Sequence, residues 1–498
     1  MLIILLFFLA TLSLIFLLLT KHQKNEPFHP PSGPKGLPFI GNLHQFDFSK
    51  PHLSFAKLAK IHGPIYTLRF GSKNVVVIQS STMAKEVLQT QDLNFCHRPI
   101  SVGMRRLSYN GSDIMFAKDF EYFREIRKIS ALHLFSVKRV QSFAPILQDE
   151  FTRLIHKISS LASASKVVDL SELLFLSASS NICRLAFGRS YEEEEEFERR
   201  RFHSLFNEFQ AMSTAFFIAD YFPSIGWLDK LTGKYSRLDK VFNDLDLFYE
   251  EIIDEHLDPN RLESDQKDVI DVLLNLMKAR NLSFELTLDH IKAILMNIFV
   301  AGTDTSTIMV IWAMTELIKN PTIMSKVQEE LRNNLSDSKG CITMDNLLKC
   351  KYFKAVVKET LRFHPAAPVT FRETLKKSNI EGYDILPKTH IYVSIWALGR
   401  DPEHWENPEK FMPERFMESS IDYKGNDFEL IPFGAGRKIC PGMVLGVASY
   451  ELALANLLYN FQWELPNSMS KDDIDTDTLP GLVMSKKDPL CLLARKFT

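Results

Sequence analysis

The stretch from Ile431 to Gly442 reads Ile-Pro-Phe-Gly-Ala-Gly-Arg-Lys-Ile-Cys-Pro-Gly and places Cys440 directly ahead of an apolar helical pattern. At a helix N-terminus, unpaired backbone N–H groups and the positive dipole end favour a thiolate, so a cysteine there is expected to have a lowered pKa and to serve as a metal ligand. Gly434, Gly436 and Gly442 let the backbone pass close to a flat cofactor, and Pro441 suits a first helical position. Taken alone, the loop also fits a buried free cysteine beside a glycine turn. A dinucleotide loop fits less well: Gly434 and Gly436 begin a GxGxxG, but Ile439 holds the third glycine place and no clear strand leads in.

Two further groups of residues carry chemistry. Ala301, Gly302, Thr303, Asp304, Thr305 and Ser306 interrupt a long apolar pattern over 287–318. Polar residues and a glycine inside a buried helix cost stability and ask for a reason. One is a kink with threonine hydroxyls bonded back to the helix; the other is a local opening where a hydroxyl and a carboxylate relay protons. Glu359 and Arg362 lie one helical turn apart, where they can pair, and Pro413-Glu-Arg415-Phe416 follows about fifty residues later. The spacing alone says little, since Glu196/Arg199 and Glu198/Arg201 share it within a charge run read as a solvated face.

Helical patterning is expected to position these groups. Candidate helices cover 51–62, 82–90, 119–135, 140–158, 170–187, 236–256, 266–278, 287–318, 322–334, 345–363 and 442–459. Ile65–Phe70, Val75–Gln79 and His390–Ile395 predict a small sheet, so the fold class is mainly α with a small β portion. No repeat or second linker appears beyond residue 50, which favours one large domain over 41–498. Ahead of it, Leu2–Leu19 is almost wholly apolar and reaches about 27 Å as a helix, enough to span a bilayer. Residues 1–20 are therefore read as a transmembrane anchor. Lys21, His22 and Lys24 follow it and place the rest of the chain in the cytosol. Residues 21–40, with Pro27, Pro30, Pro31, Pro34 and Pro38, form a stiff proline-rich hinge.

Composition narrows the classes. The chain has 498 residues, a net charge of -2, 45% hydrophobic and 24% charged residues. A substantial core is expected, disorder is not, and nothing in the charge balance points to nucleic acid. Six cysteines without a tight framework indicate a reducing compartment.

In this order, the segments resemble the cytochrome P-450 family. The Cys440 loop is similar to the family's cysteine-ligand pattern FxxGxRxCxG: Phe433, Gly436, Cys440 and Gly442 match, and Lys438 stands where an arginine usually pairs with a haem propionate. A lysine keeps the charge without the bidentate fork. Glu359, Arg362 and Arg415 resemble the ExxR helix and PERF segment, which implies a cluster that locks the core below the haem. Residues 301–305 resemble the (A/G)Gx(D/E)T motif, which implies roles for Asp304 and Thr305 in oxygen activation. Phe123 to Arg127 resembles the WxxxR helix; Arg127 matches, whereas Phe123 lacks the ring N–H of the usual tryptophan. Arg372 resembles a further propionate-contacting arginine.

The resemblance thus implies a single cytochrome P-450-like domain holding haem b with an axial thiolate from Cys440. Phe433, Gly436, Lys438, Arg127 and Arg372 would cradle the haem. The implied activity is insertion of one atom of dioxygen into a hydrophobic small molecule, a plant specialised metabolite such as a terpenoid, phenolic, alkaloid or aldoxime. Met115, Phe116, Phe299, Val300, Ala301, Val369 and Phe371 are expected to line the substrate pocket, within wall segments near 98–116, 205–220, 296–305, 366–371 and 481–485. Electrons would come from an NADPH-dependent flavoprotein reductase, docked in part on a basic surface including Arg437 and Lys438. The implied setting is the endoplasmic reticulum membrane, single-pass among membrane lipid, with the catalytic domain in the cytosol.

Overall fold

Capping chemistry starts the helices close to where periodicity places them. A computed structural model describes residues 28–189, 196–261, 267–335, 342–466 and 469–497. The expected anchor, residues 1–20, lies outside the described residues. The longer helices are α1 (Pro51–His62), α2 (Phe120–Ile129), α3 (Ala144–Ser163), α4 (Leu170–Phe187), α5 (Glu196–Ser213), α6 (Lys234–Leu257), α7 (Val269–Ala279), α8 (Leu288–Lys319), α9 (Pro321–Asn334), α10 (Lys351–Phe363) and α11 (Met443–Asn460). The side chains of Asp119, Asp169, Asp268 and Thr287 accept from backbone N–H groups three residues on, which satisfies donors that a helix start leaves unpaired. Pro321 opens α9, where its missing N–H costs nothing.

The departures from periodicity have local causes. The expected helix over 119–135 is α2 followed by a π-type turn, Ser130–Leu134, and the one over 82–90 is Ser81–Lys85 followed by a π-type turn, Glu86–Thr90. Each turn admits an extra residue and rotates the apolar face that periodicity alone would carry straight on. The charge run hid a whole helix, α5. Its last arginine, Arg201, pairs with Glu251 of α6 at 2.8 Å, and beyond it Phe202, Leu205, Phe206 and Phe209 are buried.

The strands are β1 (Ile65–Phe70), β2 (Lys73–Ile78), β3 (Val168–Asp169), β4 (Val369–Glu373), β5 (Ser378–Ile380), β6 (Tyr383–Ile385), β7 (His390–Ser394), β8 (Phe461–Glu464) and β9 (Cys491–Lys496). One sheet has the order β1-β2-β7-β4, a second β3-β9-β8, and β5 pairs with β6. β7 runs parallel to β2, with Val75 opposite His390, and antiparallel to β4, with Arg372 opposite Ile391. That register turns Arg372 into the body, where it is 3% exposed. Residues 31–37 lie along β1, where Pro31, Ser32 and Leu37 carbonyls accept from Thr67 and Arg69.

The main core gathers apolar side chains from helices α2 to α11. Helix α8 runs through it, capped by reciprocal hydrogen bonds between Thr287 and His290. Among the described residues it alone is long and apolar enough to cross a membrane, yet most of that stretch is buried inside the body, so it is the core helix. α8 lies tight against α4: a Cβ on Gly302 would stand 2.4 Å from Ile182 Cδ1.

Candidate active site

Cys440 sits three residues ahead of α11, on a loop folded back so that its N–H donates to the Phe433 carbonyl at 2.9 Å. Gly434 and Gly436 take left-handed φ values of 72° and 67°. For Gly436 the requirement is steric as well as conformational, because a Cβ there would fall 1.8 Å from the Leu88 carbonyl oxygen. Around Gly434 and Gly442 the same addition would meet nothing within 4 Å. Cys440 lies deep in the protein yet retains accessible surface, so it borders an internal space. Burial pushes its thiol up, against the expectation of a lowered value; the Gly442 N–H, Arg127 and Arg98 act in the opposite direction. In so dry a place a bound cation, rather than the helix end alone, is what would hold the sulfur as thiolate.

Beside the sulfur lies an excess of buried positive charge. Arg98 donates to the Lys438 carbonyl at 3.2 Å, while its Nε is buried without a partner. Burial pushes Arg98 down to about 10 and Lys438 down to about 7, and in Lys438 the neighbouring Arg98 and Arg372 add to the effect. Arg372 is held well below its ordinary value by burial and by Arg98, and Arg127 is lowered by burial while the Cys440 sulfur raises it. Four cations thus converge where Asp113, Asp92 and the two thiols Cys96 and Cys440 oppose them. Buried charge without matching countercharge is costly, so the arrangement calls for anionic groups of a bound molecule.

Lys438 and Phe123 meet. The ammonium lies 3.7 Å from the Phe123 ring centroid and donates to the Ala117 carbonyl at 3.2 Å. At 7% exposure, Lys438 is no part of a docking surface. Arg437 is exposed but paired with Asp92 at 2.9 Å.

On α8, Ala301 is exposed although Phe299 and Thr303 beside it are fully buried. The Thr305 hydroxyl donates to the Ala301 carbonyl at 2.8 Å, and Thr303 and Thr307 bond back in the same way to Phe299 and Thr303. Asp304 accepts from Gln210 Nε2 of α5 at 2.6 Å, and burial pushes its carboxyl up to about 6. Met115, Val300 and Phe371 are partly buried against the core, and Val369 against the sheet. Phe116 is 4% exposed, its N–H bound to Asp113 at 2.8 Å. Phe299 belongs to the aromatic core: it is fully buried, with Phe202 and Phe206 edge-on at 4.8 and 5.5 Å. Its helical position turns it away from the face that carries Ala301.

Glu359, Arg362 and Arg415 form one cluster. Arg362 grips Glu359 through Nε and a terminal nitrogen, both at 2.7 Å, and Arg415 Nε reaches the same carboxylate at 3.1 Å. Arg362 also donates to the carbonyls of Gly399, Pro408 and Lys410, and the Met412 N–H donates to Glu359. Such full satisfaction is what allows the charges of Glu359 and Arg362 to be buried, at 0% and 1% exposure.

Arg98, Asp113, Gln210 and Trp312 emerge only from the fold. Trp312 donates to the Met484 carbonyl at 2.6 Å, and the Met484 N–H donates to the Ala366 carbonyl at 2.8 Å, which ties two expected pocket walls to α8. Their sequence signal is weak: a buried indole N–H needs a partner, but nothing local says which.

The Cytochrome P-450 family model matches residues 31–493. The chain belongs to the cytochrome P-450 family. It is 46% identical over 492 residues to a 6,7,8-trihydroxycoumarin synthase of Pastinaca sativa, covering 97% of this chain and 96% of that one. It is 45% identical over 493 residues to a 5-OH-xanthotoxin synthase of the same species, with the same coverage. A zebra fish cytochrome P-450 solved with abiraterone superposes with a TM-score of 0.75 at 22% identity, covering 90% of this chain and 99% of that one. The protein is accordingly a haem-thiolate monooxygenase, an oxidoreductase with the mainly helical cytochrome P-450 fold and its small β portion. The site fits that cofactor: the orphaned Arg98 Nε and the surplus of buried cations suit a haem's two carboxylates, and Cys440 offers sulfur to iron.

Proposed function

We propose that this enzyme hydroxylates an oxygenated aromatic small molecule of coumarin type, with Cys440 as the axial ligand of haem b. What carries the reading is one arrangement, in which the Cys440 sulfur lies deep in the protein yet keeps accessible surface, with Arg98, Arg127, Arg372 and Lys438 gathered around it. The two Pastinaca relatives, named as synthases of hydroxylated coumarin compounds, favour this substrate class within plant specialised metabolism. Haem with a thiolate ligand supplies dioxygen activation, its electron release being the lever that favours O–O cleavage. The balance is substrate C–H, dioxygen, two electrons and two protons in; C–OH and water out.

The chain's own residues do the rest. Arg98, Arg127, Arg372 and Lys438 would hold the carboxylates of the bound group. Asp304 and Thr305 hold and pass protons, the carboxyl poised near neutrality where it can both accept and give. Glu359, Arg362 and Arg415 fix the backbone at Gly399, Pro408, Lys410 and Met412. Partly buried apolar residues such as Met115, Val300 and Phe371 keep water from the reacting carbon.

We assign electron supply to an NADPH-dependent flavoprotein reductase on the same endoplasmic reticulum membrane, since no convincing nucleotide loop exists in the chain. In this reading residues 1–20 anchor the enzyme, residues 21–40 form the hinge, and 41–498 face the cytosol. An exposed apolar turn supports contact with lipid: Leu37, Phe39 and Ile40 are 48%, 86% and 36% exposed. Phe39 holds a left-handed φ of 61°, costly for an aromatic residue. Next to it, the Ser72 N–H after β1 donates at 2.8 Å to the carbonyl of Tyr221, whose ring stacks on the exposed Phe216.

The test is optical and chemical. Reduced protein under carbon monoxide should show the red-shifted band of a thiolate-ligated haem, and Cys440→Ser should lose it. Microsomes containing the enzyme and a reductase should then convert hydroxycoumarins or furanocoumarins to products one oxygen heavier. A histidine-type spectrum in the wild-type protein would sink the ligand, and turnover confined to terpenes would sink the substrate class.

A further inference from the structure

Gln210 lies one turn from the end of α5, and its carbonyl accepts from the hydroxyls of Ser213 and Thr214 at 2.9 and 3.0 Å. Its backbone is therefore fastened at the point where the helix stops. From there its amide crosses to α8 and donates to Asp304 Oδ2 at 2.6 Å. Both side chains are partly buried.

No ion pair reaches Asp304 among the described residues. The charged groups on the helices around it are engaged elsewhere: Arg184 of α4 with Asp149 and Glu150 of α3, Arg237 of α6 with Glu208 of α5, Lys292 of α8 with Asp246 of α6, and Glu316 of α8 with His364. His203 of α5 faces the Phe175 ring. Burial raises the Asp304 carboxyl, and the Gln210 hydrogen bond is the opposing influence.

The choice of a neutral donor matters. A guanidinium or ammonium at this distance would hold the carboxylate far below neutrality and remove it from proton traffic. With no donor, burial would carry the group upward until it stayed protonated. An amide leaves it between these limits.

We propose that Gln210 is a positioning residue for proton delivery, its amide holding the Asp304 carboxylate ionised and in one orientation so that delivery depends on where α5 sits. The inference rests on the role given to Asp304 above. It also assigns a task to a helix that carries no recognised chemical motif.

The test uses the full chain in membranes with a reductase, comparing wild type, Gln210→Leu, Gln210→Glu and Asp304→Asn from pH 5.5 to 8.5. Product formed per NADPH consumed is followed alongside the infrared C=O stretch of a protonated carboxyl in the resting enzyme. Asp304→Asn should lose that band and most of the coupling; unchanged coupling there would defeat the role of Asp304 itself. Gln210→Leu should shift the acid limb of the coupling profile and the band's titration upward by about one pH unit. The thiolate band should be intact at every pH. Gln210→Glu should shift both further, because a second carboxylate disfavours ionisation of the first, and it carries the test should the leucine variant fold poorly. A changed KM with both profiles superimposed on wild type would make Gln210 a lining residue only and overturn the proposal.

Discussion

Asp304 shows how a single residue can be costly and useful together. Burial raises its carboxyl from the ordinary 3.8 to about 6, so between these values the folded chain binds a proton that the unfolded chain has released. Stability therefore falls as pH rises through that window. Asp304→Asn keeps an acceptor for Gln210 but cannot ionise. Its melting midpoint, relative to wild type, should rise between pH 4.5 and 7, as followed by thermal melts in matched buffers; parallel curves would remove the strain assigned to Asp304. Legibility at this scale follows distance along the chain. Glu359 and Arg362 announce themselves because their partner is three residues away. Gln210 meets Asp304 across 94 residues, and Arg98 meets Lys438 across 340, so neither pairing leaves a local pattern. Phe299 failed as a lining residue for a related reason, since an apolar side chain on a core helix looks the same in sequence whichever way it points.

Helices α4 and α8 approach so closely that one hydrogen atom decides their fit. A methyl group at Gly302 would overlap Ile182 Cδ1, and overpacking of this kind costs about 1–3 kcal/mol. Gly302→Ala should lower the melting midpoint and shift α8 at Ala301 and Thr305, while adding Ile182→Val, which removes Cδ1 but leaves Cγ1 at 2.9 Å, should restore part of the loss. A double variant no better than Gly302→Ala alone would show that the glycine serves the helix backbone instead. The apolar periodicity of α8 was plain because the helix is long and capped at its start. The helix α5 was not, because acidic and basic residues at its start masked the buried phenylalanines that follow. Strand β4 escaped for another reason. Its five residues are only partly buried apart from Arg372, and they become a strand through pairing with β7.

At the scale of the molecule, the chain's length, its average composition and the lack of a second linker predict one large body, and the family match over 31–493 shows the mainly helical fold. Attachment of that body to a membrane would have two independent parts, the apolar run at residues 2–19 and the turn carrying Leu37, Phe39 and Ile40. A chain lacking residues 2–20 should still float with phospholipid vesicles in a density gradient, at high as well as low salt, because the contact is apolar. Replacing Leu37, Phe39 and Ile40 by serine in the shortened chain should release it. Release by removal of residues 2–20 alone would leave the turn without that role.

The contact between Lys438 and Phe123 has a consequence for how such sequences are scored and altered. Judged position by position, this chain carries two blemishes in its haem cradle, each counted separately. The ring and the ammonium satisfy each other, so the two changes amount to one exchange written in two places. Restoring arginine alone would press a broader, flatter cation against a ring placed for a slender one. Restoring tryptophan alone would crowd a larger ring against the same lysine. A route between the two versions of the cradle is smoother when both sites change together, and a search that varies one site at a time would wrongly report each as fixed.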